Sequence, residues 1–244
     1  MTSVWGVNIS NQIFFKQHGP WERVDGEATQ IHGSGNGNHV VAINNSAGQG
    51  ELYYMAGRHG HWQRLDGSLK HACVTDDGQI WAVNNSDQIF YKANVHSPWE
   101  GVGGAAKQIC CDSRGHNIVC CNSSEEIYFR TGRHGHWERI DGALKHCTVS
   151  NDAQFWGANS ADQIYYKAHA HAPWEQVGGS AKQIHVSPCG QQIICVNSSQ
   201  EIYRMQGGRH GRWERDDGAL VHCTISSGVC KRESCLPPGA LCNQ

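Results

Sequence analysis

The chain has 244 residues, enough to bury one substantial core or two smaller ones. Its 20 Lys+Arg nearly balance 22 Asp+Glu, for a net charge of −2 with no basic stripe, which argues against a phosphate-driven nucleic-acid partner, and no apolar run is long enough to span a membrane. Glycine is abundant (29), proline scarce (6) and tryptophan high (9), a composition suited to many short strands and tight turns, while 12 cysteines point to an oxidising compartment.

The first residues, Met1-Thr2-Ser3-Val4-Trp5, have neither the basic start nor the apolar stretch of a signal peptide, so the numbering is expected to begin at a mature end. From Trp5 onward three landmarks recur. An asparagine ends an apolar run at Asn8, Asn44, Asn84, Asn122, Asn159 and Asn197. An apolar–aromatic pair follows at Ile13-Phe14, Leu52-Tyr53, Ile89-Phe90, Ile127-Tyr128, Ile164-Tyr165 and Ile202-Tyr203. Then comes a tryptophan, at Trp21, Trp62, Trp99, Trp137, Trp174 and Trp213, with a glycine five residues later in every copy. The tryptophans stand 41, 37, 38, 37 and 39 residues apart. A period near 40 signals a propeller or a solenoid.

The content of one period decides between them. In Leu144–Gly179 the strands read as Leu144–Val149, Phe155–Asn159, Gln163–Lys167 and Pro173–Val177, separated by turn residues and closed by Gly178-Gly179. Four short strands make a propeller blade, and no segment carries the 3.6-residue period of a helical repeat. The chain begins on a second-strand signature, Trp5-Gly6-Val7-Asn8, and ends its last repeat on a first-strand signature, Leu220–Ile225. The expected fold is therefore all-β: a six-bladed β-propeller of four-stranded antiparallel blades, with one blade closed by both termini. This propeller is expected over residues 1–226, followed by a Cys-rich tail at 227–244. Alternate blades differ. One kind carries His18-Gly19-Pro20-Trp21 and its equivalents, the other a Gly-Arg-His-Gly loop, so the ring is pseudo-threefold.

The sixfold tryptophans are expected to pack between blades, and the sixfold asparagines to stabilise turns at strand ends. Five of those asparagines also read as glycosylation sequons, taken here as by-products of an Asn-Ser turn. The threefold loops are the candidate binding sites: Gly57-Arg58-His59-Gly60-His61-Trp62, Gly132-Arg133-His134-Gly135-His136-Trp137 and Gly208-Arg209-His210-Gly211-Arg212-Trp213. Each joins the third and fourth strands of its blade, at the end that also holds the first-to-second-strand turns. The turns of the next blades, Thr75-Asp76-Asp77 and Ser150-Asn151-Asp152, are expected to face them across a groove. Such a groove would offer Arg58, His59 and His61 with Asp76 and Asp77, then Arg133, His134 and His136 with Asn151 and Asp152, and also Arg209, His210 and Arg212. A guanidinium fork donates to sugar hydroxyls or carboxylates, and carboxylates accept from hydroxyls.

A metal is not expected. His59 with His61 and His134 with His136 put two imidazoles on one face, but Arg212 breaks the third copy and no paired cysteine spacing completes a zinc site. No cofactor or catalytic constellation is visible, so the chain is expected not to be an enzyme. Cys110-Cys111 and Cys120-Cys121 lie on two strands of one hairpin, where pairing 110 with 121 or 111 with 120 would permit at most one disulfide. Cys147 and Cys223, and likewise Cys120 and Cys195, hold equivalent positions as buried thiols. Cys230, Cys235 and Cys242 in the tail offer a staple or a cross-link to another chain.

Val83-Asn84-Asn85-Ser86-Asp87-Gln88-Ile89-Phe90-Tyr91-Lys92 and Trp137-Glu138-Arg139-Ile140-Asp141-Gly142-Ala143-Leu144-Lys145-His146 resemble the repeat of the tectonin (tachylectin-1 and fish egg lectin) family. The resemblance spans residues 4 to 226. It implies a six-bladed propeller that binds sugars or bacterial surfaces without catalysis. The expectation is a secreted, multivalent lectin (extracellular fluid, secretory granule or egg) for glycans of galactose or N-acetylhexosamine type on bacterial lipopolysaccharide or glycoproteins, acting in defence or egg protection. A protein-docking subunit linked through its Cys tail to a larger complex or toxin is the alternative.

Overall fold

The computed structural model describes residues 2–227. They form twenty-three strands in six four-stranded antiparallel units around a central axis, with a single 3-10 turn at Gly208–His210. Blade 1 joins β1 (Thr2–Val7), β2 (Gln12–Lys16) and β3 (Glu22–Glu27) to β23 (His222–Ser227) from the other end of the chain. The register Thr2↔Ser227 to Val7↔His222 makes β23 the innermost strand of that blade, so the ring is closed as expected. Pairing both ends of the chain removes an open sheet edge.

Blade 2 holds β4 (Gln30–Gly33), β5 (His39–Asn44), β6 (Glu51–Ala56) and the first half of β7 (Gln63–Val74). The second half of β7 opens blade 3, with β8 (Ile80–Asn84), β9 (Gln88–Lys92) and β10 (Glu100–Ala105). Blade 4 is β11 (Gln108–Cys111), β12 (Asn117–Cys121), β13 (Glu126–Thr131) and β14 (Glu138–Ala143). Blade 5 is β15 (His146–Val149), β16 (Phe155–Ala158), β17 (Gln163–Lys167) and β18 (Glu175–Ser180). Blade 6 is β19 (Gln183–Val186), β20 (Gln192–Val196), β21 (Ile202–Gln206) and β22 (Trp213–Asp216). The sequence places these strands within a few residues. One correction falls on the fourth strand, which does not stop at Gly178-Gly179. It runs to Ser180 because a bulge opposite Gln163/Ile164 absorbs the extra residues.

The interior is six seams rather than one core. Each hydrophobic cluster is shared by two consecutive blades: Trp81, Ile89, Tyr91 and Val102 of blade 3 pack on Ile109, Cys111, Ile118 and Cys120 of blade 4, and Val4 and Ile225 of blade 1 pack on Ile194 and Ile202 of blade 6. Trp5, Trp81 and Trp156, from the second strands of alternate blades, are at most 1% exposed. Truncating one of them to alanine removes about 3–5 kcal/mol.

The repeat landmarks now have physical roles. Each sixfold tryptophan donates its indole N–H to a carbonyl on, or for Trp21 just after, the fourth strand of the preceding blade: Trp21 to Asp217, Trp62 to Asp25, Trp99 to Asp66, Trp137 to Gly103, Trp174 to Asp141 and Trp213 to Gly178, at 2.6–3.0 Å. Against each indole lies the repeat glycine of that preceding blade. Gly142, at φ +95°, sits so close that a Cβ there would be 2.8 Å from Trp174 Nε1. The glycine is required twice over, by its left-handed backbone and by the indole that occupies its side-chain space.

Each sixfold asparagine closes the second-to-third-strand turn. Asn84 Oδ1 accepts the backbone N–H of Ser86 (3.0 Å) and of Gln88 (2.9 Å), and its amide donates to Gln88 Oε1. Asn8, Asn122, Asn159 and Asn197 repeat the two backbone bonds. The short loop drives the third residue after each of these five asparagines to a φ of 61–66°, which a polar residue tolerates best.

The hairpin cysteines require a correction. The pairing register is Cys110↔Val119 and Cys111↔Ile118, two residues away from the one that would oppose Cys110 to Cys121. Cys110, Cys111, Cys120 and Cys121 are all free and buried, as are Cys73, Cys147, Cys195 and Cys223. Burial raises the thiol pKa of Cys110 and Cys195 to about 12, which keeps them protonated. Cys189 is disulfide-bonded. The expected tail, with Cys230, Cys235 and Cys242, lies outside the described residues.

Candidate functional site: the inter-blade seams

Two kinds of seam alternate around the ring, and their chemistry explains the pseudo-threefold. Where an even blade meets the next odd blade, a third-strand lysine reaches back. Lys167 pairs with Asp141 of blade 4 at 2.6 Å and Lys92 with Asp66 of blade 2 at 3.2 Å, while Lys16 meets Asp216 of blade 6 at 2.7 Å. Lys92 and Lys167 are almost wholly buried, and their ammonium groups also donate to the carbonyls of Ser97 and Ala172. At the Lys167 seam a groove of about 470 Å³ opens between Glu138–Asp141 and Ala170–Pro173.

Where an odd blade meets the next even blade, the arginine of the Gly-Arg-His-Gly loop takes over. Arg58 donates to Glu22 (2.9 Å), Arg133 to Glu100 (2.7 Å), and Arg209 pairs with Glu175. Each guanidinium also lies over an aromatic ring of the preceding blade: Arg58 over Phe15 at 5.0 Å and Trp5 at 6.0 Å, Arg133 over Tyr91 at 5.1 Å, Arg209 over Tyr166 at 5.8 Å. Such stacking is worth about 0.5–2 kcal/mol. The loops are held from below, since Gly57, Gly132 and Gly208 donate their N–H to the carbonyls of Asn38, His116 and Gln191 in their own blades.

The partners of these arginines correct the sequence reading. Arg58 and Arg133 turn back to the preceding blade, not forward to the Asp76 and Asn151 turns. Each of those turns locks instead to the equivalent turn of the preceding blade. Asp76 Oδ1 accepts the Asn36 N–H at 2.7 Å, and Asn151 Oδ1 accepts the N–H and hydroxyl of Ser113, both at 3.1 Å. Asp77 is held by Thr75 and Gln79 within its own turn. Burial would raise the pKa of Asp77, but those hydrogen bonds outweigh it and leave it lowered. Asp152 is exposed on the equivalent turn. His59, His61, His134, His136, His210 and Arg212 are exposed on the loop tips, so the structure brings Arg58, Arg133 and Arg209 into the seams and leaves their loop neighbours outside.

At Arg58 the seam opens into a groove of about 310 Å³ lined by Ser3, Trp5, Phe15, Asn36, Arg58 and Ser226, among others. One guanidinium edge is spent on Glu22, while Nε has no protein partner. Asn36, fixed by Asp76, also lines the groove. The sequence reading therefore found the arginines and missed their partners: the aromatic residue and the glutamate sit in the preceding repeat, and both recur there, at Phe15, Tyr91 and Tyr166 and at Glu22, Glu100 and Glu175.

A second set of polar side chains, which the sequence reading did not single out, lines the axis. The inner strands present one ring of Gln30, His71, Gln108, His146, Gln183 and His222, and a second ring that includes His32, Cys110 and His185. Among the described residues, two groups bring three metal-ligating side chains within 4.8 Å of one another: His71 with His146 and His222, and His32 with Cys110 and His185. No loop histidine belongs to either.

The model of the Tectonin domain matches residues 1–133 and again residues 112–230. No curated protein sequence matches the chain. Among solved structures, a chain of the nidogen/laminin complex is similar over 94% of this chain and 100% of its own, with a TM-score of 0.73 at 11% identity. TolB from Acinetobacter baumannii is similar over 93% of this chain and 66% of its own, with a TM-score of 0.72 at 10% identity. At those identities the likeness concerns the propeller fold alone. The two matches to the family model together span the six blades, and the chain belongs to the Tectonin domain family.

Proposed function

We propose that the protein is a secreted, non-enzymatic lectin that binds glycans at the three seams carrying Arg58, Arg133 and Arg209. The observation that carries this reading is the groove at Arg58, where a stacked guanidinium, two aromatic rings and small polar groups converge in about 310 Å³. That volume suits one or two sugar rings. A guanidinium already oriented by stacking and by Glu22 loses little freedom on donating to a hydroxyl or a carboxylate. The Lys167 groove has no tryptophan, tyrosine or phenylalanine in its lining, and its lysine is committed to Asp141. Membership of the Tectonin domain family supports a lectin-type role.

Single sugar contacts are weak, and three sites fixed on one rigid disc raise avidity for a repeating surface such as lipopolysaccharide or a clustered glycoprotein. Galactose and N-acetylhexosamine are the sugar types to try first. A glycan array probed with the native chain tests the reading. Retention on at least one such glycan, competed by the free sugar, is the expected result, and an array without any specific signal contradicts it.

A further inference from the structure

We infer that the propeller axis binds one divalent transition-metal ion through the imidazoles of His71, His146 and His222. These residues are 75 and 76 positions apart in the sequence, the same intervals that separate the three arginine loops. They stand at the same level on the innermost strands of blades 3, 5 and 1. Their rings form a near-equilateral triangle with centroid distances of 6.1, 6.1 and 6.5 Å. One ligating nitrogen from each lies within 4.8 Å of the other two.

The polar atoms of this triangle are left over by the protein. Both ring nitrogens of all three histidines are shielded from solvent and have no hydrogen-bond partner among protein atoms. The Ile109 carbonyl near His71 offsets part of the effect of burial without making a well-formed bond. A neutral imidazole carries one donor and one acceptor, and burying either without a partner costs about 1–3 kcal/mol. Six such atoms at one level of the axis need a common partner. An ion supplies it for three of them, with the solvent that enters alongside available to the outer nitrogens. The residues themselves are only half-buried.

The surroundings hold the ligands in register. Between the histidines stand Gln30, Gln108 and Gln183, and none of these amides serves an imidazole. Each spans the backbone of the residue following a histidine: Gln30 bonds the carbonyl and N–H of Ala72, Gln108 those of Cys147, and Gln183 those of Cys223, at 2.7–3.2 Å. Three equivalent clamps thus fix the three ligand-bearing strands. Burial also keeps the imidazoles in the neutral form that a metal needs, with the pKa of His71 lowered to about 4.

The ligand set indicates the class of ion. Three neutral nitrogens with an open fourth position suit Zn²⁺, Co²⁺, Ni²⁺ or Cu²⁺, and not the oxygen-seeking Mg²⁺ or Ca²⁺. Zinc–nitrogen bonds of about 2.0–2.1 Å require ligand nitrogens about 3.4 Å apart, so the rings close inward slightly on binding. The neighbouring group is the rival position. There His32 Nε2 lies 3.1 Å from His185 Nε2, but the other nitrogens of both rings accept backbone N–H groups from Val74 and Ile225, and Cys110 Sγ contacts the Thr148 hydroxyl. That group already has partners.

The test uses the full chain without a polyhistidine tag, stripped with a chelator and titrated with Co²⁺. The expected result is one Co²⁺ per chain with the visible absorption of a low-symmetry site, displaced by Zn²⁺. His71→Asn, His146→Asn and His222→Asn should each weaken binding at least tenfold, while His32→Gln, Cys110→Ser and the double variant His59→Ala/His61→Ala keep one ion. X-ray absorption of the Co²⁺-loaded native chain does not depend on any variant folding, and should show nitrogen and oxygen ligands without sulfur. Absence of uptake by the native chain, retention of full affinity in the folded axial variants, or a sulfur ligand would each overturn the inference.

Discussion

Gly142→Ala probes the device that joins the blades. Gly142 has φ +95°, and a Cβ built there lies 2.8 Å from Trp174 Nε1 and 3.2 Å from its Cδ1. Alanine must therefore strain the backbone, at about 1–3 kcal/mol, and also push the indole away from the Asp141 carbonyl, which it meets at 2.7 Å, at about 1 kcal/mol more. The sum is about 2–4 kcal/mol. For a chain of this size that lowers Tm by roughly 5–15 °C. Gly101, on the exposed edge strand of blade 3, is the control, because its φ is not left-handed and a Cβ there meets nothing within 4 Å. Gly101→Ala should leave Tm unchanged or raise it slightly by restricting the unfolded chain. Thermal unfolding followed by circular dichroism compares the two. Equal shifts for both variants, or none for Gly142→Ala, would refute the assignment of the repeat glycine to the indole contact.

Two further predictions rest on other parts of the fold. Asn84→Ala deprives the Ser86 and Gln88 N–H groups of their acceptor and should cost about 1–2 kcal/mol in urea denaturation, whereas replacing the neighbouring exposed Asn85 should stay within about 0.5 kcal/mol. Burial lowers the His185 pKa from its ordinary value of 6.5 to about 3. Below pH 6.5 the unfolded chain takes up a proton that the folded chain refuses, so this contribution is fully present above 6.5 and is lost as pH falls toward 3, by up to about 1.4 kcal/mol per pH unit. In the chelator-treated protein, His185→Gln should show a shallower loss of stability over that range, and an unchanged slope contradicts the burial of a neutral imidazole.

Most of the fold is legible in the sequence because its signals are local. A strand-ending asparagine builds its turn from bonds two and four residues away, and a tryptophan with a glycine five residues later marks every fourth strand. The register of Cys110 and Cys111 was not legible, since a shift by two keeps the same faces buried and no turn signature distinguishes the alternatives. The arginine loops were legible as a threefold feature. Their direction was not, because sequence order alone does not tell whether a loop leans toward the blade before or after it. The alternating glutamates and aromatic residues of the preceding repeats carried that signal. His71, His146 and His222 share the loop interval and are hidden among the thirteen other histidines.

Glycan binding is proposed at the Arg58, Arg133 and Arg209 seams. The ion pairs these arginines make with Glu22, Glu100 and Glu175 are partly exposed and contribute little, so removing the arginines costs mainly the three ring contacts, about 1.5–6 kcal/mol together. The most direct measurement is retention of the native chain and of the triple variant Arg58→Ala/Arg133→Ala/Arg209→Ala on immobilised galactose and N-acetylhexosamine, with melting curves recorded in parallel. The native chain should be retained and the variant should flow through while still melting cooperatively, at a Tm lowered by roughly 3–24 °C for the three lost ring contacts. Retention of the folded variant equal to that of the native chain would contradict the proposal.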